Sequence, residues 1–239
     1  MRKALKAAFP ATIPVMLGYI SVGLAFGLLM VKTGHNFLWA IFMSITVYAG
    51  SMQFIAINLL TNGVGLIEIA LMTLFVNVRH VFYGLSFIDK FKDMGKKKTY
   101  MIFSLTDETY SLICSLKAPV GVDNNLFLFS IALLNQMYWI IGSIIGAIAG
   151  SLITFNTQGI DFAMTALFVV IFIEQWFTYK THIPVLIGIV ATLLSLMIFG
   201  SDNMILPSMI FITAILLVFE KKIDKKEYEK REEAMNNEF

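Results

Sequence analysis

The sequence predicts an all-α integral membrane protein, a polytopic bundle of seven to eight transmembrane segments with a broken or re-entrant helix among them. Three observations carry this. The chain has 239 residues, 58% of them hydrophobic and only 14% charged, where a soluble domain carries roughly 25% charged residues. Its apolar residues come in runs long enough to cross a bilayer, and its Lys and Arg residues gather between those runs instead of along them. Between Ala11 and Phe219 the charged helix stripes that a water-facing surface needs are nearly absent.

A hydrocarbon core takes about 20 apolar residues per helix. Ala11 to Val31, Leu38 to Leu60, Val64 to Ile88 and Leu126 to Ile153 meet that length. The basic start at Arg2, Lys3 and Lys6 resembles a signal peptide, but the apolar run goes on to Val31, beyond the 7 to 15 residues of a signal core. It reads as the first span. Phe162 to Tyr179, Ile183 to Phe199 and Met204 to Phe219 are shorter, uninterrupted by Lys or Arg, and closely linked. Thr99 to Leu116 is the weakest candidate, because Asp107 and Glu108 sit near its middle among Ser and Thr residues. It reads as a re-entrant or interior helix.

Residues 1–219 therefore form a single transmembrane domain. Residues 220–239 alternate Lys and Arg with Glu and Asp and form a charged cytoplasmic tail. The basic residues are a topology signal, not a nucleic-acid patch. Of the eighteen Lys and Arg, a seven-span arrangement with an outward N-terminus puts fourteen inside and three outside, and so scores better than eight spans. Cys114 is the sole cysteine, which excludes an intrachain disulfide and a cysteine metal cluster.

Ionisable and polar groups inside spans are costly and mark sites or relays. The first cluster is Asn77-Val78-Arg79-His80-Val81-Phe82-Tyr83-Gly84. At 100° per residue Thr73, Asn77, His80 and Gly84 share one stripe, and Arg79, Tyr83 and Ser86 an adjoining one. The bland alternatives are an Arg79 that snorkels to the interface and a His80 bonded to a neighbouring carbonyl. The second cluster is Thr106-Asp107-Glu108-Thr109, an acidic, hydroxyl-lined face on which either carboxylate could carry a proton, or else an acidic turn facing a loop. The third is Tyr48-Ala49-Gly50-Ser51-Met52-Gln53, where a break at Gly50 would expose the N–H groups of the following half-helix to a carboxylate. Its bland reading is small-residue packing with Gln53 bonded across helices.

Gly23 and Gly27, and Gly142, Gly146 and Gly150, recur every four residues and allow close helix packing. Glu68, Asp161, Glu174 and Asp202 lie near segment ends, and Trp39, Trp139 and Trp176 read as interface anchors or packing residues. Ala70 to Val76 and Ala163 to Val169 are faintly alike, too faintly to make a repeat.

Tyr48-Ala49-Gly50-x-x-Gln53-Phe54, Asn77-Val78-Arg79-His80-x-x-Tyr83-Gly84 and Leu105-Thr106-Asp107-Glu108, in this order and spacing, resemble the AzlC family of branched-chain amino-acid exporters over about residues 5 to 219. The resemblance implies export of branched-chain amino acids, often with methionine, across the bacterial cytoplasmic membrane. It also implies a small membrane subunit of the AzlD type as partner. It supplies no site residues, so roles come from chemistry. Arg79, or the N–H groups near Gly50 and Ser51, suit a substrate carboxylate, and Tyr48, Gln53, Asn77 and Tyr83 could complete the hydrogen bonds. His80, Asp107 and Glu108 are the candidates for proton coupling. No Walker A pattern, His-Glu-x-x-His site or Gly-x-Ser-x-Gly elbow is present, so neither ATP use, a cofactor nor an intramembrane enzyme is expected.

Overall fold

The computed structural model describes residues 1–152, 181–204 and 207–219, with positions 169, 172, 173, 176 and 177 between them. It divides into two compact units, Met1–Met164 and Thr165–Phe239. The expected span over Phe162 to Tyr179 falls almost wholly outside the described residues. The charged tail, Asp161, Glu174 and Lys180 lie outside them too.

The first unit is built on α1 (Arg2–Lys32) and α7 (Asn124–Leu152). At 31 and 29 residues they run about 45 Å, ample for a bilayer. They pack in parallel through the predicted glycines. A Cβ at Gly27 would collide with the Ser143 carbonyl oxygen, and one at Gly146 with that of Leu24. Backbones touch there because side chains are missing, which is how small residues drive helix association where lipid gives no hydrophobic force.

Where one span was expected over Leu38 to Leu60, the chain forms two half-helices, α2 (Phe37–Thr46) and α3 (Gly50–Thr61). At about 15 and 18 Å neither could cross. The predicted weakness at Gly50 is realised just ahead of it, where Tyr48 adopts φ 43°. Left-handed backbone costs a tyrosine on the order of 1–2 kcal/mol, and Tyr48 is held there by burial and by the ring of Phe103. Gln53 Nε2 lies 3.4 Å from Ser44 Oγ, a contact that nine residues of continuous helix, about 13 Å, would forbid. The chain therefore turns back. Phe54 climbs again to Phe26 of α1, and four residues after Thr61 the chain starts α4 (Leu66–Ser86).

α4 descends to the end of the bundle that holds the start of α1, where Phe87, Phe91 and Met94 join Ala8, Ile113, Phe127 and Leu128 in one apolar cluster. A 3-10 turn (Lys92–Met94) leads into a second hairpin, α5 (Lys97–Phe103) and α6 (Asp107–Ser115). Its two ends lie at the same end of the bundle. Lys97 Nζ sits over the Phe129 ring, 5.6 Å from its centroid, and Lys90 Nζ donates to the Ile113 carbonyl at 2.6 Å. Its tip reaches Tyr19, eleven residues or about 16 Å up α1 from Ala8. Thr99 to Leu116 is thus re-entrant, the first of the two readings its sequence allowed.

The two hairpins enter from opposite ends and meet at mid-depth. Each follows a long helix, α1 or α4, and the two long helices run in opposite directions, an inverted arrangement that sequence comparison did not reveal. It also corrects the charge count. Because Leu38 to Leu60 turns back, the N-terminus and the lysine loop share one end, which among the described residues carries Arg2, Lys3, Lys6, Lys90, Lys92, Lys96, Lys97, Lys98 and Lys117, against Lys32 at the other. The arrangement with an outward N-terminus opposite that loop does not hold.

In the second unit the expected segments Ile183 to Phe199 and Met204 to Phe219 appear as α8 (Ile183–Asn203), bent at Gly200 with φ 75°, and α9 (Pro207–Phe219). Among the described residues four helices, α1, α4, α7 and α8, are long and apolar enough to cross a membrane.

Candidate functional site

The hairpin tips bring the three polar clusters together. α6 starts at the second tip because Thr106, extended at φ −90°, caps it by accepting from the Thr109 N–H at 3.3 Å. Asp107 and Glu108 thereby occupy its first turn, where the helix dipole favours anions. α3 starts at the first tip with no side-chain cap at Ala49.

Asp107 faces α4. Its Oδ2 lies 2.8 Å from Arg79 Nη1, and its Oδ1 accepts from the Tyr83 hydroxyl at 2.8 Å. The second guanidinium nitrogen of Arg79 donates to Ser51 Oγ at 3.1 Å. Ser51, Arg79, Tyr83 and Asp107 therefore form one connected group drawn from all three sequence clusters. Arg79 turns inward instead of snorkelling, and the pair stays reachable, with side chains 36% and 34% exposed. Tyr83 is braced by stacking on Tyr110, with centroids 4.5 Å apart.

Glu108 faces the other way, toward α1. Its Oε2 accepts from the Tyr19 hydroxyl at 2.6 Å, and the same hydroxyl reaches Thr106 Oγ1 at 2.5 Å. Thr106 Oγ1 contacts Thr109 Oγ1 at 3.0 Å, and Asn135 Nδ2 of α7 donates to Thr109 Oγ1 at 2.9 Å. Tyr48 lies close to this side, its hydroxyl buried without a hydrogen-bond partner. Adjacent in sequence, the two carboxylates serve separate circuits.

The other candidates have more local roles. Gln53 is fully buried, and its amide is engaged by Ser44 and by the indole N–H of Trp139, which donates to Oε1 at 3.0 Å. Gly50 lies against the same indole, 3.1 Å from where a Cβ would sit. Trp139 is thus an interior packing residue, whereas Trp39 is half exposed. His80 Nδ1 bonds the Asn77 carbonyl of its own helix at 3.2 Å and meets the Tyr83 ring edge-on. The Asn77 side chain is not drawn into the Arg79 group, and its Oδ1 is buried without a hydrogen-bond partner.

Sequence reasoning missed Tyr19, Tyr100, Asn135 and Gln136. Tyr100 donates to Gln136 Oε1 at 2.6 Å, and Gln136 Nε2 donates to the Ile45 carbonyl at 3.3 Å, near the C-terminal end of α2. Asn135 and Gln136 are adjacent amides within a long apolar helix, the signal that picked out Arg79. Tyr19 carries no such signal. No group of three or more His, Cys, Asp or Glu among the described residues could hold a metal ion.

Helices that cross a bilayer, with two half-helix hairpins closing on a charged, hydroxyl-rich centre at mid-depth, define a polytopic membrane transport protein. The family described as "AzlC protein" matches residues 14–153. The chain is 43% identical to the "Branched-chain amino acid transport protein AzlC" of Bacillus subtilis (strain 168), over 94% of this chain and 88% of that one. It is 40% identical to an "Uncharacterized membrane protein" of Helicobacter pylori (strain ATCC 700392 / 26695), over 93% and 97%. It is also 29% identical to the "Inner membrane protein YgaZ" of Escherichia coli (strain K12), over 87% and 88%. No solved structure matches it. The chain belongs to the AzlC family.

Proposed function

We propose that the chain exports branched-chain amino acids, and methionine with them, across the bacterial cytoplasmic membrane, driven by the proton-motive force. It would act as the large half of a complex with a small AzlD-type membrane subunit. The observation that carries this is the Arg79 and Asp107 pair, 2.8 Å apart and a third exposed, between two hairpin tips. A zwitterionic amino acid presents the same two charges and can take the place of either partner, its carboxylate at Arg79 and its ammonium at Asp107. The N–H groups of Gly50 and Ser51 at the uncapped start of α3 add donors for the carboxylate. Tyr83 completes the polar wall beside Asp107, with Gln53 holding the first tip in shape. The transport named for the Bacillus subtilis relative supports the substrate class.

The excess of Lys and Arg at one end supports a cytoplasmic location for that end. α4 offers a surface for a membrane partner, since Leu74, Val78, Val81, Phe82 and Leu85 are exposed along it. His80, Asp107 and Glu108 are the groups that could take up the coupling proton. The test is isoleucine efflux from preloaded cells expressing the chain with its small subunit. Arg79→Gln and Asp107→Asn should each abolish it, and wild-type efflux in both variants would sink the assignment.

A further inference from the structure

We propose that Glu108 carries the coupling proton, that Tyr19 and Thr106 form the hydroxyl relay that turns to accommodate it, and that Asp107 stays ionised throughout. This rests on the transport reading above and assigns its coupling step. The Tyr19 hydroxyl has one hydrogen, yet its oxygen lies 2.6 Å from Glu108 Oε2 and 2.5 Å from Thr106 Oγ1. Both contacts are hydrogen bonds only if one neighbour donates to the Tyr19 oxygen, and two arrangements achieve this.

With Glu108 protonated, its O–H donates to Tyr19, Tyr19 donates to Thr106, and Thr106 donates to Thr109 at 3.0 Å. With Glu108 ionised, every arrow reverses: Thr109 donates to Thr106, Thr106 to Tyr19, and Tyr19 to the carboxylate. The structure aligns these hydroxyls in the first sense, Tyr19 toward Thr106 and Thr106 toward Thr109, and hydroxyl rotation carries the change to the second. In both states Asn135 Nδ2 donates to Thr109 and anchors the far end at α7. A proton arriving at Glu108 forms one O–H bond on its carboxylate and breaks none in the relay.

Asp107 lacks this freedom. Its two oxygens are taken by Arg79 and Tyr83, and the guanidinium has no hydrogen-bonding use for a neutral acid's proton. Protonating it would leave Arg79 charged and unpaired. Among the groups facing Glu108 are Tyr19 from α1, Tyr48 from the first tip and Asp107 beside it, the last already neutralised by Arg79. Asn135 and Trp139 of α7 are uncharged.

The test uses membrane vesicles containing the full chain co-expressed with its small subunit and loaded with labelled isoleucine. Isoleucine exchange, which moves no net proton, is compared with net flux driven by a pH gradient. For Glu108→Gln the gradient-driven component should be lost and the exchange rate should become independent of pH. Tyr19→Phe and Thr106→Val should lose coupling likewise, while Thr106→Ser, which keeps the hydroxyl, restores it. Asp107→Asn should lose exchange itself. A Glu108→Gln protein that still responds to the pH gradient overturns the relay and leaves the transport reading standing. One that loses exchange as Asp107→Asn does also overturns it, because Glu108 then serves binding. Absence of isoleucine exchange in the unsubstituted protein overturns the transport reading and the relay together.

Discussion

Trp139 donates its indole N–H to Gln53 at 3.0 Å, tying α7 to a half-helix that goes only halfway across the bilayer. The same hairpin is held further by the Gln136 amide on the Ile45 carbonyl, by Arg79 on Ser51 and by Phe26 against Phe54.

Trp139→Phe leaves the Gln53 Oε1 buried and unpaired, which should cost about 1–3 kcal/mol. Thermal unfolding in detergent should show a lowered midpoint. Gln53→Leu combined with Trp139→Phe should cost less than the sum of the two, because the stranded amide is gone.

Arg79 and Asp107 should behave as a coupled pair. Arg79→Ala alone should destabilise by about 2 kcal/mol, between the value of a solvated pair and that of a buried one. Arg79→Ala with Asp107→Asn should recover most of that stability in the same unfolding measurement while isoleucine efflux stays at zero. Recovery of efflux in the double variant would separate the pair from the transported molecule.

Glycine substitutions should divide sharply by place. Gly146→Ala puts a methyl into the Leu24 carbonyl and should cost roughly 2–3 kcal/mol with reduced yield of folded protein. Gly188→Ala meets nothing within 4 Å, and in a helix should be neutral or stabilising by up to ~1 kcal/mol. Size-exclusion profiles and unfolding midpoints of the two variants give the comparison.

The hairpins also fix a topology that can be read chemically. In a Cys114→Ser background, a cysteine replacing Lys32 should react with a membrane-impermeant maleimide added to intact cells. Cysteines replacing Lys92 or Lys117 should react only after the membrane is opened. Labelling of all three from outside would refute the shared end of the N-terminus and the lysine loop.

Much of this architecture was legible in the residues. Gly50 and Ser51 announced a break in the second apolar run, and the acidic pair at Asp107 announced an interior helix. What hydropathy could not say is that Leu38 to Leu60 returns to its own side, because a long apolar stretch looks alike whether it crosses or folds on itself. The decision lies in tertiary contacts such as Gln53 with Ser44. Arg79, Tyr83 and Asp107 were legible because each is costly in lipid. Tyr19 was not, since a tyrosine in an apolar helix carries no such penalty and its role depends on which hydroxyls face it. The partition of Asp107 and Glu108 into separate circuits likewise needs α1 and α4 on opposite sides of α6, which spacing along the chain does not specify.

The glycine seam between α1 and α7 has a mechanical consequence. Two backbones in direct contact act like meshed racks, because a slide along the seam moves Gly27 and Gly146 off the Ser143 and Leu24 carbonyls that have room for no side chain. This pair is therefore the stator of the machine. Motion falls to α4 and the two hairpins, which touch α1 and α7 through side chains, polar ones such as Tyr19 and Trp139 and apolar ones such as Phe26, contacts that can be remade without repacking a backbone.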